Sequence, residues 1–170
     1  MRIKLMAKQT VYILIGAPGC GKSTYVHSLI KTLGDDFQVI SSDNIVEKLA
    51  EKHRIRYRQF FELAINNPLR RQHQRLFNQA IKRSKQSSNV IWDLTNLTRT
   101  QRDNIKAHYP SAHFIAVTFK TASDHSYLQA INRQRQKQGD KYIPNTVLTE
   151  MLKKYQPIAS DESYDQIISV

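Results

Sequence analysis

Cysteine is almost missing from this sequence, since the only one among 170 residues is Cys20. A single thiol excludes an intrachain disulfide framework and a cysteine-rich zinc site. Long apolar runs are missing as well, because Val11–Ile15 and Phe114–Val117 are far shorter than the ~20 residues that span a bilayer. No signal-peptide pattern begins the chain. We therefore expect a soluble, cytoplasmic protein.

Acidic residues are scarce. The chain has 14 Asp and Glu residues against 26 Lys and Arg residues, a formal net charge of +12. The excess is local, because residues 51–110 carry 13 basic and 4 acidic residues, a net charge of +9, whereas residues 156–170 carry −3. This pattern indicates a polyanionic partner at residues 51–110, with the acidic segment outside that surface.

Apolar runs that are typical of buried strands alternate with helical patterns, and no repeat or Gly/Ser linker interrupts them. This alternation predicts one α/β domain over residues 1–170, with a mainly parallel sheet covered by helices on both faces. The predicted strands are Val11–Ile15, Phe37–Ile40, Asn89–Asp93, His113–Phe119 and Gln166–Val170. The predicted helices are Lys22–Leu33, Asn44–Lys52, Gln59–Ile65, Leu69–Lys85, Thr98–Ala107, Asp124–Gln136 and Asn145–Tyr155.

The clearest motif is the segment GAPGCGKS at residues 16–23, which matches G-x-x-x-x-G-K-[ST] between a predicted strand and a predicted helix. Backbone N–H groups of such a loop surround phosphate oxygens, Lys22 reaches the β- and γ-phosphates, and Ser23 ligates Mg²⁺. The motif therefore predicts a site for ATP and Mg²⁺. Its candidate nucleotide-binding residues are Gly16, Gly19, Cys20, Gly21, Lys22, Ser23 and Thr24.

Cys20 allows two interpretations. A helix N-terminus and a nearby Lys22 are conditions that lower the pKa of a thiol, which would suit a redox switch. The plainer interpretation, which we favour, is that this position of the loop accepts any small residue.

Asp43 ends the second predicted strand, at the sheet edge where open α/β folds bind ligands. A carboxylate there is placed to accept the proton of an attacking hydroxyl. The alternative is that Asp43 caps the helix Asn44–Lys52. The two roles are compatible.

Asp93 follows the third apolar run in the manner of a Walker B acid, so we expect it to act on Mg²⁺ together with Ser23. Thr95 and Asn96 would supply hydrogen-bonding groups to the same edge. The alternative is that they are ordinary turn residues. Trp92 alternates away from Asp93 and is expected in the core.

Arg133 and Arg135 lie late in a predicted helix, and the segment QKQGDK then interrupts it before Pro144. We interpret residues 133–143 as a lid, because arginines closing over a triphosphate stabilise the charge that develops during transfer. The alternative is that they only complement the helix dipole. The catalytic candidates are therefore Lys22, Asp43, Arg135 and Arg133. Of the two arginines, Arg135 is slightly preferred, and we also expect it to contact the nucleotide.

The basic excess has two parts. In Leu69–Lys85, a set of polar residues recurs at helical spacing and predicts a basic face opposite an apolar one. That set is Arg71, Arg75, Asn78, Lys82 and Lys85. Upstream, Arg54, Arg56 and Arg58 precede Phe60 and Phe61, a mixture suited to a nucleic-acid backbone and its bases. The alternative is a solvated basic face with both phenylalanines in the core.

Four segments together resemble the kinase domain of phage-type 5′-polynucleotide kinases, within the P-loop kinase superfamily. They are GAPGCGKST at 16–24, Asp43, DLTNLTRTQR at 93–102 and NRQRQKQGDKYIP at 132–144. The resemblance implies a three-layer α/β/α P-loop kinase fold with a five-stranded sheet and a helical lid. It also implies Asp43 as the general base toward a 5′-hydroxyl, with ATP and Mg²⁺ held by Lys22 and Ser23.

Two departures from that family stand out. Its members usually carry an acceptor-binding arginine three residues after the catalytic acid, where this sequence has Val46. Many relatives also have a 3′-phosphatase domain, which is not expected here.

Residues 1–10 would be an N-terminal extension and 158–170 a terminal strand and tail. The candidate acceptor-binding residues are Asp43, Thr95, Asn96, Arg54, Arg56, Arg58 and Arg102.

The sequence therefore supports three functional hypotheses. The first is an ATP-dependent kinase that phosphorylates the 5′-hydroxyl end of DNA or RNA, for which a phage origin is one option. The second is a P-loop kinase of a small molecule or nucleoside, and the third is a nucleotide-dependent nucleic-acid-binding protein without kinase activity. The choice between DNA and RNA, the replacement for the missing arginine at Val46 and the oligomeric state stay open.

Overall fold

The computed structural model describes residues 8–138 and 141–170. Its strands are β1 (Thr10–Ile15), β2 (Phe37–Ile40), β3 (Asn89–Trp92), β4 (His113–Thr118) and β5 (Gln166–Ser169). Its helices are α1 (Lys22–Leu33), α2 (Ser42–Lys52), α3 (Tyr57–Glu62), α4 (Pro68–Ser84), α5 (Arg99–Ala107), α6 (His125–Gln138) and α7 (Asn145–Lys153). The strands form one sheet in the order β2-β3-β1-β4-β5, and every neighbouring pair is parallel.

The predicted α/β fold with a five-stranded parallel sheet is confirmed. The largest difference concerns the short helix α3, which begins two residues and ends three residues before its predicted bounds. The Gln59 side chain accepts a hydrogen bond from the Arg56 N–H at 2.7 Å, so the helix begins upstream of Gln59. Leu63 is extended and ends it.

The sheet separates two apolar layers. Residues such as Leu14 and Val117 pack under α1, α6 and α7, whereas Ile13 and Val90 pack under α4 and α5. A third, smaller cluster around Val46 and its neighbours joins α2 and α3 to α4. No helix within residues 8–138 and 141–170 is both long enough and apolar enough to cross a membrane.

The strand order places the carboxyl ends of β2, β3 and β1 side by side. The Asp93 N–H after β3 donates to the Ile40 carbonyl of β2 at 2.9 Å, and the Gly16 N–H after β1 donates to the Thr95 carbonyl at 3.0 Å. Strands β3 and β2 lie on one side of β1, and β4 and β5 lie on the other side, so the order in which the chain adds strands to the sheet reverses at β1. Such a switch point is where open α/β sheets form their ligand clefts.

Arg102 lies in the protein interior rather than on the acceptor side, so its prediction as an acceptor-binding residue is wrong. Its guanidinium is fully buried and forms a bidentate ion pair with Glu162, with Nε donating to Oε2 at 2.8 Å. Nη1 also donates to the carbonyls of Asn96, Leu97 and Gln156. Arg102 thereby anchors the loop between β3 and α5.

The acidic C-terminal segment packs against α5. Glu162 neutralises Arg102, and Asp161 pairs with Arg99 at 2.8 Å, so two acids of the segment cover basic residues of α5. The net charge of +9 counted along residues 51–110 therefore overstates the basic surface near α5. Eleven basic residues of this range remain besides Arg99 and Arg102, and five of them lie on α4.

Replacing Glu162 with alanine is expected to lower the free energy of unfolding by about 3–5 kcal/mol, because Arg102 would stay buried without its carboxylate. The neighbouring change Asp161→Ala is the control, because its ion pair with Arg99 is exposed to solvent and contributes far less to stability than a buried pair. Urea denaturation of both variants measures the difference. Equal losses would contradict the structural role given to Arg102.

Candidate active site

A cleft of about 380 Å³ lies at the carboxyl edge of the sheet. It brings together residues that the sequence predicted from four separate segments. The predicted residues that line it are Gly19, Gly21, Lys22, Ser23, Thr24, Asp43, Asp93, Thr95 and Arg135. Tyr127 and Lys141, which were not predicted, line it too.

The phosphate-binding loop presents an open helix N-terminus to this cleft. Gly19 and Gly21 have φ of +95° and +105°, which glycine adopts without strain. Gly21 caps α1, and among the described residues no side-chain hydrogen bond caps this helix. The N–H groups of its first turn therefore point to a site that suits a phosphate.

The Lys22 ammonium folds back over the loop, where Nζ donates to the carbonyls of Gly16 at 2.8 Å and Ala17 at 3.0 Å. Burial lowers the pKa of Lys22, whereas the nearby acidic groups, including Asp93 and Asp43, raise it. Lys22 is therefore a desolvated cation beside the anion site, and such a cation interacts strongly with phosphate.

The Cys20 side chain points away from the cleft and into the core under the sheet, where it is 5% exposed. A Cβ on Gly16 would lie 2.5 Å from the Cys20 Sγ, so this close approach requires glycine at position 16. Burial raises the pKa of the thiol, and this effect outweighs the opposing one of Lys22. Position 20 is thus a packing position, which agrees with the plainer interpretation.

A thiol reagent at pH 8 is expected to modify native Cys20 at least about tenfold more slowly than free cysteine, because the thiol is buried and its pKa is raised. Samples are quenched at intervals, and mass spectrometry of the modified protein gives the rate of modification. The urea-unfolded chain is the control. Fast modification that ATP prevents would instead support the redox switch.

Asp43 lies exposed in the first turn of α2 and does not cap it. The cap is Ser41, whose Oγ accepts a hydrogen bond from the Asn44 N–H at 3.3 Å. The capping alternative for Asp43 is therefore wrong. The Tyr57 hydroxyl donates to Asp43 Oδ1 at 2.9 Å and fixes the direction of the carboxylate.

Tyr57 is a site residue that the sequence pattern did not single out. It comes from α3, 14 residues after Asp43, and its only sequence signal was an aromatic ring between two arginines. Burial raises the pKa of its hydroxyl, and the Asp43 carboxylate raises it further. The hydroxyl therefore stays protonated and serves as a donor to Asp43.

Asp93 is the second carboxylate of the cleft. Burial raises its pKa, and Lys22 opposes that shift. Asn96, in contrast, is buried in a left-handed conformation with φ of +47°, and its Nδ2 donates to the Leu14 carbonyl at 2.7 Å. Asn96 thus holds the carboxyl end of β1, and its prediction as an acceptor-binding residue is wrong.

The segment around the predicted lid contributes Arg135 and Lys141 to the cleft. Lys141 forms an ion pair with Glu47 of α2 and lies 5.4 Å from the centre of the Tyr57 ring. Arg133 is exposed on α6 and is not among the cleft residues. The part of the predicted lid at residues 139–140, like residues 1–7 of the predicted extension, is outside the described residues.

Arg54, Arg56 and Arg58 do not line the cleft. All three are exposed, and Arg58 pairs with Glu62 within α3 at 3.0 Å. The histidines received no role from the sequence, but His73 Nε2 lies 2.9 Å from the hydroxyl of Ser42, the neighbour of Asp43.

The donor groups in the cleft fit Mg²⁺ held jointly with a nucleotide. Within the described part of the chain, no group of three or more His, Cys, Asp or Glu side chains could hold a metal by itself. Ser23 and Asp93 both line this one cleft, and both side chains carry oxygen atoms. Mg²⁺ is commonly bound through one or two protein oxygens, with phosphate oxygens and water completing its coordination.

A family described as "AAA domain" matches residues 11–158, which include the whole cleft. No curated protein sequence matches the chain. Several solved structures share its fold at sequence identities of 20% or less.

A chain of the Pnkp1/Rnl/Hen1 RNA repair complex is 20% identical with a TM-score of 0.64, and the match covers 91% of the present chain and 46% of that chain. A fungal RNA kinase is 19% identical with a TM-score of 0.60, and the match covers 96% of the present chain and 38% of the fungal chain. A gluconokinase from Sinorhizobium meliloti is 15% identical with a TM-score of 0.55, covering 95% and 81%. The chain thus spans less than half the length of the first two, and these likenesses show the fold alone.

Proposed function

The chain belongs to the AAA domain family, and on that premise we propose that it is an ATP-dependent kinase of the 5′-hydroxyl end of DNA or RNA. One observation carries the proposal: the carboxylate of Asp43 lies in the same cleft as the phosphate-binding loop, Lys22 and Arg135. Phosphoryl transfer needs these groups together. The enzyme must position the attacking oxygen of the acceptor and the leaving oxygen of ATP, and it must stabilise the negative charge on the phosphoryl group that passes between them.

The donor side consists of the loop after β1 and the first turn of α1. The N–H groups of that turn and the Lys22 ammonium would hold the β- and γ-phosphates of ATP. Ser23 and Asp93 would hold Mg²⁺, which supplies positive charge against the phosphate oxygens when it is bound. Arg135, which also lines the cleft, would meet the donor phosphates.

The acceptor side consists of Asp43 and the residues that hold it. Asp43 would accept the proton of the attacking hydroxyl, because its carboxylate is exposed to the cleft. Tyr57 is a positioning residue that fixes the carboxylate through Oδ1 and leaves the other oxygen for the substrate.

The basic surface favours a nucleic-acid acceptor. Helix α4 carries five Lys and Arg residues and no Asp or Glu, and it packs against α2, which bears Asp43. A small acceptor needs no such surface, whereas a polynucleotide gains affinity from it. Two of the proteins with a similar fold are described as an RNA kinase and an RNA repair complex.

A kinase of a small molecule is the second candidate. It is favoured by Val46, which is fully buried where the resembled family carries an acceptor-binding arginine. The gluconokinase with the same fold is also matched over most of its own length.

Incubation with γ-labelled ATP, Mg²⁺, a 5′-hydroxyl oligonucleotide and a free nucleoside separates these candidates. We expect label on the 5′ end of the oligonucleotide and release of ADP. Label on the nucleoside alone would favour the second candidate. Binding of the oligonucleotide without label on either acceptor would favour the non-catalytic nucleic-acid-binding protein.

A further inference from the structure

A second groove of about 440 Å³ opens beside the active-site cleft, between α2, α3 and the start of α4. Ser42, the residue before Asp43, lines both the cleft and this groove. The floor of the groove includes the buried residues Val46 and Phe60. A molecule whose hydroxyl meets Asp43 can therefore continue into the groove past Ser42.

The groove has an exposed apolar wall close to Asp43. Phe61 is 49% exposed and Ile65 is 88% exposed, although large apolar side chains are usually covered. The Phe61 ring lies 5.2 Å from the Tyr57 ring, whose hydroxyl binds Asp43. One aromatic ring thus separates Phe61 from the proposed base.

Phe61 is held in place through a hydrogen bond to its backbone carbonyl. Arg70 Nη2 donates to the Phe61 carbonyl at 2.7 Å, and the Arg70 guanidinium lies 5.5 Å from the centre of the Phe60 ring. Arg70 therefore fixes the end of α3 against α4. A fixed and half-exposed aromatic ring beside basic residues is suited to stacking a nucleobase.

The groove continues onto the outer face of α4. Arg71 and Gln74 line it and also belong to a shallow, open patch on the surface of α4, together with Arg75, Asn78, Gln79 and Lys82. Arg71 and Lys82 are eleven helical residues apart, a distance of about 16 Å along the helix axis. The charge on this face is uniformly positive, because α4 contains no acidic residue.

Resting on the kinase function proposed above, we propose that the acceptor is a single strand of nucleic acid that leaves the cleft through this groove and follows α4. Phe61 and Ile65 hold the base that follows the 5′ nucleoside, and Arg71, Arg75 and Lys82 contact the succeeding phosphates. We name these five residues the α4 track. In this arrangement Arg71 binds the phosphate that the buried Val46 cannot bind, and Arg54, Arg56 and Arg58 lie outside the path.

Fluorescence anisotropy with a 5′-hydroxyl octanucleotide, in the absence of ATP, measures binding to the α4 track directly. Phe61→Ala is expected to weaken binding about tenfold, since stacking of a base on an aromatic ring contributes that much. Arg71→Ala is expected to weaken binding and to reduce the slope of log K against log salt concentration by about 0.7, the value for one lost phosphate contact. Pairing the octamer with its complement is expected to weaken binding to wild type.

The matched control is Arg83→Ala, which removes the same charge from α4 outside the α4 track. We expect its octamer affinity to stay within about twofold of wild type. Wild-type affinity in both Phe61→Ala and Arg71→Ala, or equal losses in Arg71→Ala and Arg83→Ala, would overturn the proposal. Equal affinity for the paired octamer would overturn the single-strand assignment.

A length series separates this proposal from the proposed function. Phosphorylation is followed with a nucleoside, a dinucleotide and the octamer, and we expect KM to fall as the acceptor lengthens. If wild type transfers no phosphate to any of these acceptors, the kinase function fails, whatever the binding results. If it phosphorylates the octamer with the same KM in wild type and Arg71→Ala, the kinase function stands and the α4 track fails.

Discussion

Replacing Lys22 with alanine is expected to lower the rate of phosphoryl transfer at least about 10²–10³-fold, the loss typical of removing one preorganised electrostatic donor. Lys22 is the cation that the phosphate-binding loop holds next to the N-terminus of α1. Its ammonium is desolvated, so its interaction with a phosphate is screened less than at an exposed position. The N–H groups of the loop remain in the variant, and we therefore expect residual nucleotide binding.

The fold should persist in this variant. Two hydrogen bonds from Nζ to the carbonyls of Gly16 and Ala17 are lost, but the cost of burying the ammonium is removed at the same time. We expect the free energy of unfolding to change by no more than about 2 kcal/mol. Urea denaturation together with the rate of label transfer from γ-labelled ATP measures both effects.

Lys31→Ala is the control for this variant, because it removes the same charge from the exposed last turn of the same helix. Its transfer rate should equal that of wild type. If Lys22→Ala transferred label at the wild-type rate, the chain would not be a kinase of the P-loop type.

The sheet and the donor side could be predicted because their determinants are local in the sequence. Each central strand is a continuous apolar run, and the strand-loop-helix sequence around residues 16–23 meets the requirements of a phosphate site within one short segment. The bounds of β2 and α1 agree with their predictions. Asp43 and Asp93 came into the cleft because both follow strands that are neighbours in a parallel sheet.

The acceptor side could be predicted only in part, because its contacts join residues that are distant in sequence. An arginine in the polar helix α5 is expected at the surface, but Arg102 pairs with Glu162, which is 60 residues away, and lies in the core. The amide of Asn96 binds the Leu14 carbonyl, 82 residues away. Short polar residues after a strand look alike in sequence whether they face a ligand or hold a neighbouring loop.

The side chains that surround Asp43 were missed for the same reason. The Tyr57 hydroxyl reaches Asp43 only because α3 folds back over α2, and His73 reaches Ser42 from α4. The sequence also left Phe60 and Phe61 as a pair, whereas the structure buries Phe60 and exposes half of Phe61. A short helix of six residues has too little periodicity to tell these two faces apart.

Replacing Asp43 with asparagine is expected to lower kcat about 10²–10⁴-fold, the contribution typical of a general base, with little change in the KM for ATP. The substitution keeps the shape of the site, because the amide oxygen can still accept the hydrogen bond from the Tyr57 hydroxyl. It also keeps α2, because the helix is capped by Ser41 and loses only the favourable position of a carboxylate in its first turn, about 0.3–1 kcal/mol. The loss therefore reports on basicity rather than on structure.

Asp35→Asn is the matched control, because it removes a carboxylate from the exposed turn after α1 and is expected to leave kcat unchanged. The octamer affinity of Asp43→Asn, measured without ATP, should stay within about threefold of wild type, since the α4 track provides the proposed phosphate and base contacts. A variant that binds the octamer but transfers phosphate slowly would support Asp43 as the base.

A near-normal kcat in Asp43→Asn would remove Asp43 from the mechanism. A loss of octamer binding with a near-normal kcat would make Asp43 an acceptor-binding residue instead.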